Sequence, residues 1–290
     1  MFQQSEGIMG IFSYLKSTII SKVVMAITGA LLLLFLFGHM AGNMQIFTGK
    51  EAFNAYAHFL QGLGELLWII RIVLFLLLVF HVITSVRLKL LNWSAKPDGY
   101  KVKNYLKASI NARTMFWTGL MIFCFLVFHL LHYTTGTLDP KIYNHNEYYK
   151  TNAEFAIDAN HAKDCIASQK DNSEKCPEYQ KKCCGKITVE GKDVYISKTG
   201  EVVFERHDAY LMVIKGFQNP IASILYIIGM LILAFHVTHA IQSAFQTLGF
   251  NHPNWFPCIE RWSMILGILL AIGYISIPLS ILLGLVGGGL

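Results

Sequence analysis

Residues 23–43, VVMAITGALLLLFLFGHMAGN, form an uncharged run of 21 residues with one histidine, His39. About 20 apolar residues in a helix cross a hydrocarbon core roughly 30 Å thick. Backbone polar groups in lipid must bond one another, so this run predicts a transmembrane helix. A cleavable signal peptide is not expected, because about twenty residues precede a run that is longer than a signal h-region.

Four further apolar segments extend this pattern through the chain. Of the 290 residues 54% are hydrophobic and 14% are charged, whereas soluble domains carry about 25% charged residues. We therefore predict an all-α membrane protein, a bundle of five transmembrane helices. The predicted spans are residues 20–47, 66–90, 114–136, 218–247 and 262–286. Residues 1–135 hold the first three helices, 136–219 an insert, and 220–290 the last two.

The basic residues indicate the orientation of the bundle. Residues 86–113 carry seven lysines and arginines against one acid, Asp98. Short loops rich in Lys and Arg stay in the cytoplasm, which predicts a cytoplasmic N-terminus and an external C-terminus. The net charge of +6 is therefore interpreted as a topology signal, and no nucleic-acid partner is expected.

The insert, residues 136–219, is predicted to be a small extracytoplasmic cap, since it is longer than an ordinary loop. The alternating pattern of residues 186–204 predicts a β-hairpin. Cysteines that face an oxidising compartment favour disulfides, with the pairing left open and a zinc site as the alternative. The four cysteines concerned are Cys165, Cys176, Cys183 and Cys184.

Histidines inside the apolar spans are the chemical signal of this sequence. An ionisable residue within the membrane indicates a functional site. Counted from the charged residue that begins each outward-running helix, His39 and His129 lie 17 and 16 residues along, about 24–25 Å at 1.5 Å per residue. In the two inward-running helices, His81 lies 16 residues beyond Glu65, and His236 lies 16 residues beyond Pro220. The four histidines thus sort into an outer and an inner pair.

Two bis-histidine sites, one near each membrane face, describe a cytochrome with two b haems, because neutral imidazoles bind haem iron. His132 and His239 share helix faces with His129 and His236 and stay open as alternative ligands. Small residues beside a haem are available at Gly29, Gly38, Gly42, Gly119 and Gly229. Basic residues that could pair with haem propionates, or anchor the helices by snorkelling, are Lys22, Arg87 and Arg113.

Four stretches resemble one known family. They are FLFGH (35–39), GKEAFNAYAHF (49–59), FH (80–81) and FH (235–236). They are similar to the membrane cytochrome b558 subunit of succinate:quinone oxidoreductases (succinate dehydrogenase/fumarate reductase), of the five-helix, dihaem type. The resemblance covers about residues 10–135 and 216–288.

The resemblance implies that His39 and His129 hold the outer haem and that His81 and His236 hold the inner one. It implies a cytoplasmic flavoprotein with FAD and an iron–sulfur protein as partners, with the basic loop beneath the iron–sulfur subunit. Electrons would pass through the haems to a quinone, with menaquinone expected. The chain itself would hold no active site for succinate. The expected location is the bacterial inner membrane, and a higher oligomer of the complex is left open.

In this family a quinone binds near a haem, and polar side chains carry its protons. Around the outer hairpin the corresponding candidates are His58, Gln61 and Glu65, although Glu65 also suits the start of a helix. The insert is not part of the family pattern. Some dihaem members have a glutamate for proton return where this chain has Ala234, which puts that route in doubt.

Two alternative functions are considered. One is the cytochrome b subunit of another quinone-linked enzyme, such as a nitrate reductase or formate dehydrogenase, which the Gly-x-Glu-Ala-Phe-Asn hairpin disfavours. The other is an ion or proton transporter. Transporters usually contain repeats and broken helices, and the sequence shows no convincing repeat. The direction, succinate oxidation or fumarate reduction, is left undetermined.

Overall fold

The computed structural model describes residues 17–95, 110–149, 183–189, 192–197 and 202–288, and for 111, 147–149, 183–189, 192–197 and 202–205 it describes only the backbone. In these ranges the chain is mostly helical, and five helices are long and apolar enough to cross a membrane. The predicted number of spans is confirmed. The helices are α1 (Thr18–Met44), α2 (Lys50–Gly62), α3 (Glu65–Ser94), α4 (Ile110–His129), α5 (Pro140–Tyr143), α6 (Ala209–Gln218), α7 (Pro220–Thr247) and α8 (Phe256–Leu282).

The spans differ from their predicted bounds where local chemistry sets the ends. Asn219 caps α7 by accepting hydrogen bonds from the N–H groups of Ile221 and Ala222, so this helix begins at Pro220 and not at 218. α8 begins at Phe256, six residues before the prediction, with a proline in its first turn. A proline is favourable there because the first N–H groups of a helix have no partner within it. At its end, α4 continues into a π turn, Leu130–Thr134.

α2 connects α1 to α3 across one end of the bundle. α1 ends in a 3₁₀ turn, Gln45–Thr48, and the chain then reverses at Gly49, whose φ is 108°. Gly64, with φ 53°, reverses it again before α3. Both angles lie in the left-handed region that glycine adopts without a steric cost. The end of the bundle that carries α2 is called the cap end, and the opposite end is the basic-loop end.

α7 is the central helix of the bundle. It packs against α8, α4 and α1, and α1 packs against α3. By contrast, α3 and α4 have little contact with each other, and Leu88 is the one buried residue of α3. The bundle is therefore loosely packed on the side where α3 and α4 run.

The cap contains a four-stranded antiparallel sheet of order β1-β4-β3-β2. Its strands are β1 (Asn146–Tyr149), β2 (Cys183–Val189), β3 (Lys192–Ser197) and β4 (Val202–His207). β2 and β3 pair directly, which confirms the predicted hairpin, while β1 and β4 were not predicted as strands. Cys165, Cys176 and the side chains of Cys183 and Cys184 lie outside the described part, so the disulfides stay a prediction.

α6, the last part of the insert, is buried in the bundle. Ile214 is fully buried, and Tyr210 and Phe217 are nearly so. These side chains join Ile46, Phe53 and residues of α7 and α8 in one apolar core. α6 therefore lies at the cap end of the bundle, and its buried side chains form part of the apolar core there.

A buried polar cluster, here called the clamp, fastens the cap to α2. Asp208 and Asn54 are both fully buried. The Asn54 amide donates to Asp208 Oδ1 over 2.9 Å, and Lys50 Nζ lies 2.8 Å from Asp208 Oδ2. Asn54 Oδ1 accepts from the Tyr210 N–H at 2.7 Å, and Asp208 Oδ1 accepts from the Leu211 N–H at 2.9 Å. The clamp of Lys50, Asn54 and Asp208 thus also caps the start of α6.

The clamp predicts how cap docking depends on pH. Burial raises the pKa of Asp208, but hydrogen bonds from Lys50, Asn54 and the α6 backbone outweigh it and hold that pKa below its ordinary value. A depressed carboxyl pKa stabilises the folded state above the unfolded pKa of about 3.9, and this stability is lost as the pH falls through the folded pKa. The contribution of the Asp208 carboxylate to docking should therefore persist from pH 5 to 8 and be lost below about pH 4.

Hydrogen exchange of the α6 amides, corrected for intrinsic rates, measures this dependence. Two histidines face the same carboxylate: His145, with Nδ1 3.9 Å from Asp208 Oδ2, and the neighbouring His207. Burial lowers the pKa of His207, so protonation of this residue opposes the folded state and weakens docking as the pH falls below about 6.5. Asp208→Asn should remove the change below pH 4. It should also enlarge the change near pH 6.5, because the Asp208 carboxylate opposes the lowering of the His207 pKa by burial. Equal profiles for both proteins would contradict the prediction.

Candidate metal centres

His81 on α3 is oriented by α1. Its Nδ1 lies 3.2 Å from the Met25 carbonyl oxygen and 3.2 Å from Thr28 Oγ1. A carbonyl oxygen accepts only, so Nδ1 carries the proton and Nε2 keeps its lone pair for a metal. The ring lies over Gly29, where an added Cβ would stand 3.1 Å from His81 Cε1. The glycine therefore makes room for the imidazole.

His236 on α7 is oriented in the same way by α4. Its Nδ1 lies 3.1 Å from Thr118 Oγ1, and it has a hydrogen bond to the backbone of Met115. A Cβ at Gly119 would stand 3.3 Å from His236 Cε1. His81 and His236 lie close enough for their imidazoles to interact electrostatically. They form the inner pair, and both present Nε2 from a fixed tautomer.

These matching contacts reveal an internal repeat that the sequence analysis did not find. Residues 25–39 and 115–129 align without a gap, and the phrase FHV recurs at 80–82 and 235–237. α1 and α3 thus correspond to α4 and α7, in parallel orientation. The repeat is faint because most of the 15 positions only need an apolar residue. The identical pairs are Met25/Met115, Thr28/Thr118, Gly29/Gly119, Phe35/Phe125, Leu36/Leu126 and His39/His129.

The outer pair lies at the cap end. The ring centres of His39 and His129 are 5.9 Å apart, with the ring planes at 82°. Metal–imidazole bonds of about 2.0–2.1 Å place the centres of two rings on opposite sides of one ion roughly 6 Å apart. The spacing therefore fits one metal ion between the two rings. His39 also stacks on Phe35, and the Asn43 amide nitrogen lies 3.3 Å from its Nε2.

Tyr226 separates the roles of His129 and His132. Its hydroxyl lies 3.2 Å from His129 Nδ1 and 3.4 Å from His132 Nδ1. His132 lies in the π turn and stacks on Tyr133, with ring centres 4.1 Å apart. The imidazole that faces His39 is that of His129, and Tyr226 can hold its Nδ1. This geometry favours His129 as the ligand and gives His132 a supporting position.

His239 differs from His236 in the hydrogen bonding of its Nδ1. Its Nδ1 is buried and has no hydrogen-bond partner among the described residues. The Nδ1 of a metal-binding histidine nearly always has a partner that fixes the ring. The contacts of His236 with Thr118 and Met115 meet this condition, so the geometry favours His236.

The donor sets fit a haem better than a metal ion bound by the protein alone. Within the described ranges, no group of three or more His, Cys, Asp or Glu side chains could hold a metal. Each centre therefore offers two imidazoles, and neutral imidazole is a ligand that haem iron takes from proteins. α3 and α4, the helices that carry His81 and support His236, have little contact with each other.

The predicted glycines have different surroundings. Gly29 and Gly119 lie against the inner pair, whereas Gly42 packs on Tyr56 and Gly229 on Phe125. A Cβ at Gly38 would meet no atom within 4 Å. Two of the five glycines therefore support helix packing, and two support the inner pair directly.

The three candidate propionate partners lie toward the basic-loop end. Arg87, six residues beyond His81, donates to Ser21 Oγ over 2.5 Å and so connects α3 to α1. Lys22 is exposed beside Ser21, and Arg113 is exposed at the start of α4. Their position suits the inner pair, since the outer pair lies at the far end of the same helices.

The three candidate quinone residues lie at the cap end. His58 and Gln61 are exposed on α2, three residues apart and thus on one helix face. Glu65 is the first residue of α3 and is exposed. A carboxylate there is favourable for the helix dipole, so Glu65 has a structural reason to be present.

Comparisons with protein-family models, with curated proteins and with solved structures found no match to this chain.

Proposed function

We propose that this chain is the membrane-anchor, dihaem cytochrome b subunit of a succinate:quinone oxidoreductase. It would transfer electrons between an iron–sulfur subunit and membrane quinone. The observation that carries the proposal is the repeated anchoring of His81 and His236, each held at the imidazole by a Thr-Gly pair of a neighbouring helix. Two imidazole pairs on four apolar helices are the donor set of two b haems.

The haems would supply one-electron transfer, and the protein would set the orientation of their ligands. The Met25 carbonyl fixes the tautomer of His81, and the backbone of Met115 does the same for His236. Such hydrogen bonds fix the ring and raise the basicity of the ligand. At the outer pair the Tyr226 hydroxyl serves His129.

The partners and the quinone follow from the resemblance stated above. A flavoprotein with FAD and an iron–sulfur protein would bind at the basic-loop end, which the charge rule assigns to the cytoplasm. Menaquinone would react near the outer haem, at the hairpin that carries His58, Gln61 and Glu65. The chain would then be a subunit of an enzyme, with the succinate site in the flavoprotein.

The internal repeat bears on the transporter alternative. Parallel repeats also occur in transporters, so a repeat by itself does not distinguish a cytochrome from a transporter. The continuous form of α1, α3, α7 and α8 argues against a transporter, because substrate sites there use broken helices. The repeat also gives each histidine pair one member from each copy.

A haem assay and a reduced-minus-oxidised spectrum of the purified complex test the proposal. Two haem b per chain are expected, with reduction by succinate and with a flavoprotein and an iron–sulfur protein in the preparation. Zero or one haem per chain would overturn the dihaem assignment. Two haems with a molybdenum-containing partner and no response to succinate would favour another quinone-linked enzyme.

A further inference from the structure

α2 has one polar stripe with two parts. Lys50, Asn54, His58 and Gln61 follow one another at intervals of four, four and three residues, which places them along one face of a helix. Lys50 and Asn54 belong to the clamp and contact Asp208. His58 and Gln61, the candidate quinone residues, continue the stripe about 6 Å and 10 Å beyond Asn54.

The clamp is a main contact that fixes the rotation of α2 about its axis. Phe53 and Asn54 are the buried residues of this helix, and Asn54 is held on both sides of its amide, by Asp208 and by the Tyr210 N–H. At its ends α2 joins the bundle through Gly49 and Gly64, two reversals with positive φ. One residue's rotation, about 100°, would move the whole stripe to another face.

A second ion pair supports the same docking. Arg206 Nη2 on β4 lies 2.8 Å from Glu51 Oε2, and the Arg206 side chain is 2% exposed whereas that of Glu51 is 76% exposed. Two consecutive residues of α2, Lys50 and Glu51, thus hold two nearby residues of the cap, Asp208 and Arg206. The cap therefore grips the start of α2 in a defined orientation.

We infer that the cap positions the quinone site: the clamp of Lys50, Asn54 and Asp208 holds α2 so that His58 and Gln61 face the quinone headgroup. The inference rests on the proposed function. It gives the insert a role in the quinone reaction without contact to the quinone. In the internal repeat the insert connects α4 to α7, as α2 connects α1 to α3. The contact between the insert and α2 therefore joins the corresponding connections of the two copies.

Lys50→Met in the complete complex tests the inference, with Lys50→Arg as the conservative variant. Lys50 is 43% exposed, so a methionine fits there, and it removes the ammonium group that contacts Asp208. The reaction is fumarate reduction by reduced 2,3-dimethyl-1,4-naphthoquinone, in which the hydroquinone gives two electrons and two protons to fumarate. KM for the hydroquinone should rise about tenfold with kcat changed less than about twofold, as for a positioning defect.

Three further measurements make the result decisive. Lys50→Arg should have the KM of the unmodified complex, and both variants should keep two haems per chain. Hydrogen exchange of the α2 amides should rise in Lys50→Met alone. Asn144→Ala, an exposed side chain of the cap, should leave KM unchanged. An unchanged KM in Lys50→Met, or a fall in kcat alone, would overturn the inference. Failure of the unmodified complex to bind haem or to oxidise the hydroquinone would instead overturn the proposed function.

Discussion

His129→Ala should lower the haem content from two to one per chain, and His132→Ala should leave it at two. The imidazole of His129 faces that of His39 across 5.9 Å, which fits an iron between them. His132 lies in the π turn, and its Nδ1 lies 3.4 Å from the Tyr226 hydroxyl. Loss of the His129 imidazole would leave only His39 to hold the proposed outer haem, whereas the inner pair would be unaffected. A pyridine haemochrome assay per chain measures both variants.

The two variants control each other, because each removes an imidazole from nearly the same position. A spectrum of His129→Ala should retain the inner haem signal, which shows that the protein is folded. Haem loss in His132→Ala with retention in His129→Ala would mean that the ligand is one helical turn further along. Tyr226→Phe should keep both haems and change the outer one only in its redox potential, since it removes a hydrogen-bond partner and no ligand.

Gly29→Val should remove the inner haem and keep the outer one. A Cβ at this position already stands 3.1 Å from His81 Cε1, and valine adds two methyl groups to it. Overpacking of this kind costs about 1–3 kcal/mol, which is about 5- to 150-fold in an equilibrium constant. The imidazole must also leave the Met25 carbonyl and Thr28, so its Nε2 loses its orientation. The same haem assay, with the spectrum of the remaining haem, measures the loss.

The matched control is Ala30→Val, one residue further along α1 and exposed. It makes the same kind of change on the outer surface of the helix and should keep both haems. Gly119→Val should act like Gly29→Val, because Gly119 holds the other member of the inner pair, His236. Loss of the outer haem in either glycine variant would contradict the sorting of the four histidines. Equal haem loss in Gly29→Val and Ala30→Val would mean that Gly29 serves helix packing only.

The sequence by itself determined the helices and the depth of the histidines. In lipid every backbone group must bond within its own segment, so an apolar run of sufficient length has one structural solution. The five spans at residues 18–48, 65–94, 112–134, 220–247 and 256–282 therefore lie near their predicted bounds. The rise of a helix is constant, so counting residues was enough to place His39 beside His129, and the structure has the two rings in contact.

Only the tertiary structure decided which contacts these helices make. The hydrogen bonds of His81 join residues more than fifty positions apart, and those of His236 join residues more than a hundred apart, so no local periodicity predicts them. The π turn that separates His129 from His132 is likewise invisible to a count based on 3.6 residues per turn.

The same holds for the hairpin at residues 49–59, which the sequence analysis used only as a family likeness. Its Asn54 contacts Asp208, 154 residues further along, and so fastens the cap. Periodicity and hydropathy depend on neighbours in the chain, and they determine where each helix begins and ends. Polar pairs buried between distant segments depend on the folded arrangement as a whole, and the roles of Asn54 and Tyr226 became visible only there. The structure also decided which of the five predicted glycines lie beside a histidine, namely Gly29 and Gly119.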